Sequence, residues 1–353
     1  MSYKKKVLVC PLNWGLGHAT RDVPIIQKFI DLDFEVIIAT DGISYDYLKN
    51  EFSTLTFIAL PGYKVKYSKR NSQLVNMLLL IPKIIYWTFR EYRLLKGIVT
   101  NYKIDIVVSD NRFGLQSRNT YNIFITHQLK VKFPKILRLC EFIYRNISKV
   151  FINKFDECWI PDFEGEFNLS GELSHLKNKM SNIHFINPLS RFSIQGSENK
   201  EGIDVLFILS GPEPQRSIFE KIIMEQSFNS NLKMVLVRGS NTEMQIKFKG
   251  KVINVADTSS LNSLILRSDL VICRSGYTSV MDLFTLRKKA VLVPTPGQTE
   301  QEYLAQYLNK KGFFYYMTQN EFSLKKSIEN AIKYPRIKKD MGDLLQQRII
   351  KLK

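Results

Sequence analysis

The 353-residue chain is short of several residue types, and each scarcity narrows what it can be. Its four cysteines, Cys10, Cys140, Cys158 and Cys273, are scattered without a CxxC pair, and its four histidines form no cluster with them. Neither a zinc site nor a disulfide framework has the spacing it needs, so no metal is expected, and reduced thiols in a cytoplasmic protein are. No apolar run reaches the ~20 residues of a membrane-spanning helix. Lys4-Lys5-Lys6 precedes an apolar run, but Val7–Cys10 is too short for a secretory signal and reads as a strand. Membrane association, if present, is expected to be peripheral. The dinucleotide pattern GxGxxG is missing, which disfavours a dehydrogenase. No nucleic-acid-binding module or interleaved aromatic platform is present either, so nucleic acid is not the expected partner.

Acids are scarce too, 33 against 51 Lys and Arg, for a net charge of +18. Between Leu60 and Phe155, 18 Lys and Arg face only Glu91, Asp105, Asp110 and Glu141. Such a zone suits anionic lipid head groups, phosphorylated carriers or nucleic acid. A solvated basic surface without a partner is the plainer account. Within it, Gly62–Gln73 is basic and turn-rich. Leu74–Leu95 is strongly apolar with Lys83, Arg90 and Arg93 interspersed, and Pro82 should kink or divide a helix there. An interfacial membrane helix and a helix packed between two neighbours fit this segment equally well.

What the chain does contain is an α/β pattern run twice. Lys6–Pro11 reads as a strand, followed by the Gly-rich stretch Asn13–Arg21, a helix over Asp22–Leu32 and a strand over Phe34–Thr40. Ile104–Ser109 and Asn122–Thr126 are strands ending in Ser109-Asp110 and His127-Gln128, and Glu157–Pro161 is the last strand of this half. Polar residues at strand ends point to one shared cleft. His18, flanked by Gly17 and by Arg21 one turn on, is placed to act as a general base. Leu189–Gly202, polar and Gly-containing, reads as a linker between a domain at 1–188 and one at 203–353.

The second half restarts with a strand at Asp204–Leu209 and a turn at Ser210–Arg216. Its most informative stretch is Asp269–Tyr303. There Asp269–Cys273 and Ala290–Pro294 read as strands. Each is followed by a turn, Arg274-Ser275-Gly276 or Thr295-Pro296-Gly297, and a helix start. Helix N-termini at the carboxyl ends of parallel strands suit a pyrophosphate. An ordinary βαβ unit with a Gly turn is the bland reading. The polar surplus Ser275, Thr278, Ser279, Asp282, Gln298, Glu300, Gln301 and Glu302 favours a ligand.

These residues resemble those of the two-domain GT-B glycosyltransferases, specifically the MurG-type lipid-intermediate N-acetylglucosaminyltransferases and the diacylglycerol galactosyltransferases. The resemblance is strongest over Asp269–Ala305, through Arg274-Ser275-Gly276, Asp282, Pro294 and Gln301-Glu302. It implies two doubly wound, Rossmann-like α/β domains facing a cleft. By the same match Asp282 would bind the ribose diol of a UDP-sugar, Gln301 with Glu302 would hold sugar hydroxyls, and Gln298 lies in the same helix start. Ser275, Gly276, Tyr277, Thr278 and Ser279 would line the phosphates, and Thr258 and Ser259 would meet the uracil edge. Gly15, Gly17 and His18 match the end of the family's Gly-rich loop, His127-Gln128 its acceptor-side His motif, and Asn187-Pro188 its linker entry. The chain departs from the family at Asp282, usually Glu, at Glu302, usually Gln, and at Ser210–Arg216, which lacks the second loop's glycines.

The expected activity is an inverting, metal-independent transfer of a hexose or N-acetylhexosamine from a UDP-sugar to a lipid- or glycan-type acceptor, with no cofactor. His18, with Asp110 or His127 as alternates, would take the acceptor proton, and Arg274 or Arg216 would assist the leaving diphosphate. Residues 62–154 would dock an anionic membrane surface or lipid-linked acceptor, giving a cytoplasmic protein peripheral on the inner face of the membrane. GxGHxxR also resembles a UDP-sugar hydrolase of nonulosonic acid synthesis, which is one alternative. A non-enzymatic anion- or nucleic-acid-binding protein is the other.

Overall fold

The computed structural model describes residues 3–62, 73–132, 138–176, 180–194, 201–241 and 247–353. The basic turn at 63–72, the apolar side chains of 73–82 and the linker residues 195–200 lie outside the described residues. The chain divides into two compact units, Met1–Ser190 with Met341–Lys353, and Arg191–Asp340.

In the first unit β1 (Lys6–Cys10), β2 (Glu35–Thr40), β3 (Thr56–Ala59), β4 (Ile106–Asp110), β5 (Tyr121–Ile125), β6 (Glu157–Ile160) and β7 (Ile183–Phe185) form one parallel sheet. Its order is β3-β2-β1-β4-β5-β6-β7. The central strands are buried on both faces, and for that reason they read in sequence as continuous apolar runs, KVLVC and IVVSD among them. The helices are α1 (Leu16–Asp31), α2 (Gly42–Glu51), α3 (Gln73–Tyr102) and α4 (Arg138–Ile152). Two expectations change here. Glu157–Pro161 is not the last strand of this half, because residues 183–185 add β7, paired with β6 through Cys158–Ile183 and Trp159–His184. And α1 starts at Leu16, so His18 and Arg21 stand on the helix itself. Gly15 caps that start with φ near +88°, a backbone setting that favours glycine.

The second unit repeats the plan with β8 (Ile203–Ile208), β9 (Met234–Val237), β10 (Lys251–Ile253), β11 (Ser268–Cys273), β12 (Lys289–Leu292) and β13 (Tyr315–Tyr316), parallel in the order β10-β9-β8-β11-β12-β13. Around them lie α5 (Gln215–Ser227), α6 (Thr258–Arg267), α7 (Tyr277–Thr285), α8 (Thr299–Lys310) and α9 (Leu324–Ala331). Its core is continuous from Val205, Phe207 and Leu236 to Ile272, Val291 and Val293. The last helix, α10 (Leu344–Ile350), sits on the first unit, where Lys28 Nζ donates to Asp343 at 2.7 Å. Sequence reading had placed it with the second domain.

Candidate active site

In a parallel sheet whose order reverses at its middle, the two strands flanking the reversal send their chains to opposite faces and leave a crevice at their carboxyl ends. In the first unit those strands are β1 and β4. The first turn of α1 carries His18, the last residue of β4 is Asp110, and His127 follows the end of β5. The structure brings these three sequence-predicted residues together. His18 Nδ1 lies 2.9 Å from Asp110 Oδ2, with the His18 side chain 15% and the Asp110 side chain 0% exposed.

Arg21 joins all three. It lies one turn after His18, so both side chains leave the same helix face. Its Nε donates to Asp110 Oδ2 at 2.8 Å, Nη2 donates to Asp110 Oδ1, and Nη1 lies 2.8 Å from His127 Nδ1. Sequence reading credited Arg21 only as support for His18. Its helical spacing in GxGHxxR was the available signal. Burial pulls the Asp110 carboxyl upward, but Arg21 and His18 outweigh it and bring it down to about 2. Burial also lowers the His18 imidazole below its ordinary value, against the pull of Asp110 and with help from Arg21. Asp110 is thus a fixed carboxylate and His18 a neutral ring at neutral pH. Next to them Asp22 is 0% exposed, and burial, with Asp110 nearby, pushes its carboxyl well above the usual range.

In the second unit the reversal falls between β8 and β11. Ser275-Gly276 turns the chain from β11 into α7, which places Tyr277, Thr278 and Ser279 in its first turn and buried Asp282 one turn on. From β12 the chain turns through Thr295-Pro296-Gly297 to Gln298, which caps α8. Gln301 accepts from the Thr295 amide at 2.9 Å through its side-chain oxygen, and its carbonyl accepts from Ser275 Oγ at 2.8 Å. Glu302 Oε1 accepts from the Gly297 amide at 2.8 Å. These bonds tie the two turns into one ledge. Thr258 and Ser259 open α6, whose cap Asp257 accepts from the Ser260 amide at 2.7 Å. Three helix N-termini therefore follow β10, β11 and β12 at the same sheet edge.

Two predicted residues are engaged elsewhere. The Arg274 guanidinium, 1% exposed, donates to the carbonyls of Val293, Pro294 and Gln215 and to Gln319 Oε1, and stacks 4.6 Å from the Phe219 ring. Burial lowers it to about 10. Arg216 is bonded to Glu213 at 2.7 Å and Glu220 at 3.0 Å, and Glu220 also takes Arg238. Arg274 braces the segment that leads into the ledge and Arg216 belongs to an ion-pair cluster on α5, so direct assistance to a leaving group is not what their geometry provides.

Residues 205–344 match the glycosyltransferase family 28 C-terminal domain. Over 375 aligned positions, covering 99% of the chain, it is 24% identical to a UDP-N-acetylglucosamine–N-acetylmuramyl-(pentapeptide) pyrophosphoryl-undecaprenol N-acetylglucosamine transferase of Prochlorococcus marinus subsp. pastoris, and the match spans 94% of that relative. Among solved structures, the kitacinnamycin glycotransferase superposes with a TM-score of 0.66 at 11% identity, covering 100% of this chain and 94% of that one. Acinetobacter baumannii MurG does so with a TM-score of 0.58 at 11% identity, covering 99% of each chain. Two parallel doubly wound units of the GT-B fold, a family 28 C-terminal domain across most of the second, and similarity over nearly the whole chain to MurG-type transferases together make the chain a glycosyltransferase.

Proposed function

We propose that the chain moves a hexose or N-acetylhexosamine from a UDP-sugar, with inversion, to a hydroxyl of a lipid- or glycan-type acceptor. The observation that carries this reading is the buried His18–Asp110 pair at the switch point of the first unit. With Nδ1 bonded to the carboxylate, the lone pair of His18 sits on Nε2, placed to accept a proton. As the acceptor oxygen attacks the anomeric carbon, His18 takes its proton and the sugar–phosphate bond breaks. Asp110 stabilises the imidazolium, and attack opposite the departing UDP inverts the carbon.

The second unit serves the donor. Asp282 takes the ribose diol, Ser275 to Ser279 and the N-terminus of α7 take the diphosphate, and Thr258-Ser259 take the base. Gln301 and Glu302 hold sugar hydroxyls. Charge on the leaving diphosphate is met by backbone N–H groups and hydroxyls and needs no metal. The activity of the Prochlorococcus relative, with its UDP-linked donor and undecaprenol-linked acceptor, supports this reading.

On the first unit, α3 leaves Ile85, Tyr86 and Phe89 exposed beside Arg90, and α4 leaves Phe142, Ile147 and Val150 exposed beside Arg145 and Lys149. Apolar side chains interleaved with cations suit the surface of an anionic bilayer, and no described helix is long and apolar enough to cross one. A lipid-linked acceptor would be met there.

A thermal-shift panel of nucleotide sugars tests the reading. A UDP-sugar should stabilise the protein by about 2.7 kcal/mol at 100 times its dissociation constant. His18→Ala should keep that shift and lose acceptor-dependent UDP release by roughly 10²–10⁴-fold, with turnover of the parent protein persisting in EDTA. Failure of every nucleotide sugar to bind refutes it.

A further inference from the structure

His18, Asp110 and His127 were three candidates for one proton, and the contacts of Arg21 choose among them. The choice follows from what each atom can do. A guanidinium has N–H donors and no acceptor, so the 2.8 Å contact between Arg21 Nη1 and His127 Nδ1 requires a lone pair on that nitrogen. The His127 ring therefore carries its proton on Nε2.

At His18 the same logic gives the opposite result. Nδ1 lies 2.9 Å from Asp110 Oδ2, and Asp110 is a carboxylate with no proton to give. Two lone pairs facing at that distance would repel, so the proton is on Nδ1 and the lone pair on Nε2. Arg21 Nη2 also lies 2.9 Å from His18 Nδ1 and would donate to a lone pair there, so the carboxylate and the guanidinium compete for that nitrogen. The carboxylate decides the competition: a lone pair held against an anion at 2.9 Å gains nothing from Asp110, whereas with the proton on Nδ1 both nitrogens can turn their hydrogens to the two oxygens of Asp110.

We infer that Arg21 is a positioning residue that holds the two imidazoles in opposite tautomers, which leaves His18 as the base of the site and bars His127 from that role. The inference rests on the transfer reaction proposed above for its catalytic meaning, but the tautomers themselves do not. Groups facing His18 are Arg21 from its own helix, Asp110 from β4 and His127 from the segment after β5, while Asp22 faces Asp110. Arg21 is the cation among them, and it opposes protonation of His18 while Asp110 favours it.

The test has two arms on the full-length protein. The chain has four histidines, so long-range ¹H–¹⁵N correlation of histidine-labelled protein can resolve each ring. His18 should show its proton on Nδ1 and His127 on Nε2. In Arg21→Gln the His127 preference should disappear. In the second arm, the acidic limb of the kcat/KM profile should move to higher pH by about one unit or more in Arg21→Gln, because His18 loses a neighbouring cation and keeps an anion.

Arg21→Lys should keep that limb near its parent position. Its single ammonium replaces a three-nitrogen fork, so the His127 lock should still be lost. This variant decides the matter if Arg21→Gln does not fold. A merely structural role would lower activity without moving the limb or the tautomers. The inference is overturned if His18 carries its proton on Nε2, if His127 carries it on Nδ1, or if the limb stays fixed in Arg21→Gln. If no UDP-sugar is turned over, the proposed reaction fails and the tautomer arm still decides the role of Arg21.

Discussion

At the residue scale the unusual group is Asp22 rather than the proposed base. Among the described residues neither of its carboxyl oxygens has a hydrogen-bond partner, and it is fully buried. An ionised carboxylate there would be costly, so burial favours the protonated form. Its folded pKa is raised well above the unfolded value, by burial first and by Asp110 second. A raised folded pKa contributes stability that is fully present below the unfolded pKa of about 3.9 and is lost as pH rises through the folded value. Asp22→Asn keeps the shape and removes that dependence. It should match the parent protein near pH 4 and exceed it in thermal midpoint increasingly toward neutral and higher pH. A variant less stable than the parent at every pH would mean that Asp22 is ionised and paired. Asp110 gives the opposite sign, since its stability is present above about 3.9 and is lost as pH falls through about 2. Both aspartates were visible in the sequence, yet only Asp110 was marked for function. Asp22 stood at the start of an apolar helical period, and periodicity says nothing about whether a buried carboxyl finds a partner.

At the element scale, the strands were legible because a parallel strand covered on both faces must be apolar throughout. β7 was not, since three residues at a sheet edge leave no such run. The first turn of α1 was hidden for a different reason: His18 and Arg21 spend their side chains on Asp110, so the apolar repeat begins only after them. The apolar segment before Leu95 divides its duties along one helix. Leu95 and Val99 of α3 are buried in the core, as a packed helix requires, while Ile85, Tyr86 and Phe89 are exposed. The loop after β4 approaches α3 closely at Gly114. A Cβ there would meet the Thr88 carbonyl oxygen at 2.2 Å and Glu91 Cβ at 2.8 Å. Nearby, buried Arg112 donates to Glu91 at 2.9 Å. Gly114→Ala should push loop and helix apart at a cost of about 1–3 kcal/mol, read as a lower urea midpoint. No loss of stability would show that α3 is free to shift there.

At the scale of the whole molecule, the repeated α/β pattern and the donor-type turns were readable because each is local in sequence. The return of the C-terminus to the first unit was not, because its partners are remote. Lys28 and Asp343 are 315 positions apart, and a seven-residue helix with a short apolar run declares no destination. Once there, α10 buries Leu345 and Ile349, with Leu352 just beyond it, and Arg348 donates to His184 Nδ1 at 2.6 Å beside β7. Lys5 Nζ also donates to the Leu352 carbonyl at 2.9 Å. Burying each of those aliphatic side chains is worth about 1.5–3 kcal/mol, enough together to matter to a unit of marginal stability. Ending the chain at Asp340 should therefore loosen the first unit selectively. Hydrogen exchange should accelerate in α1 and β7 while β8 to β12 keep their protection. The shift on adding UDP should survive, since the donor residues proposed above all lie between Thr258 and Glu302, whereas acceptor-dependent turnover should fall because His18 stands on α1. Faster exchange in β8 to β12 instead would assign the C-terminal segment to the second unit.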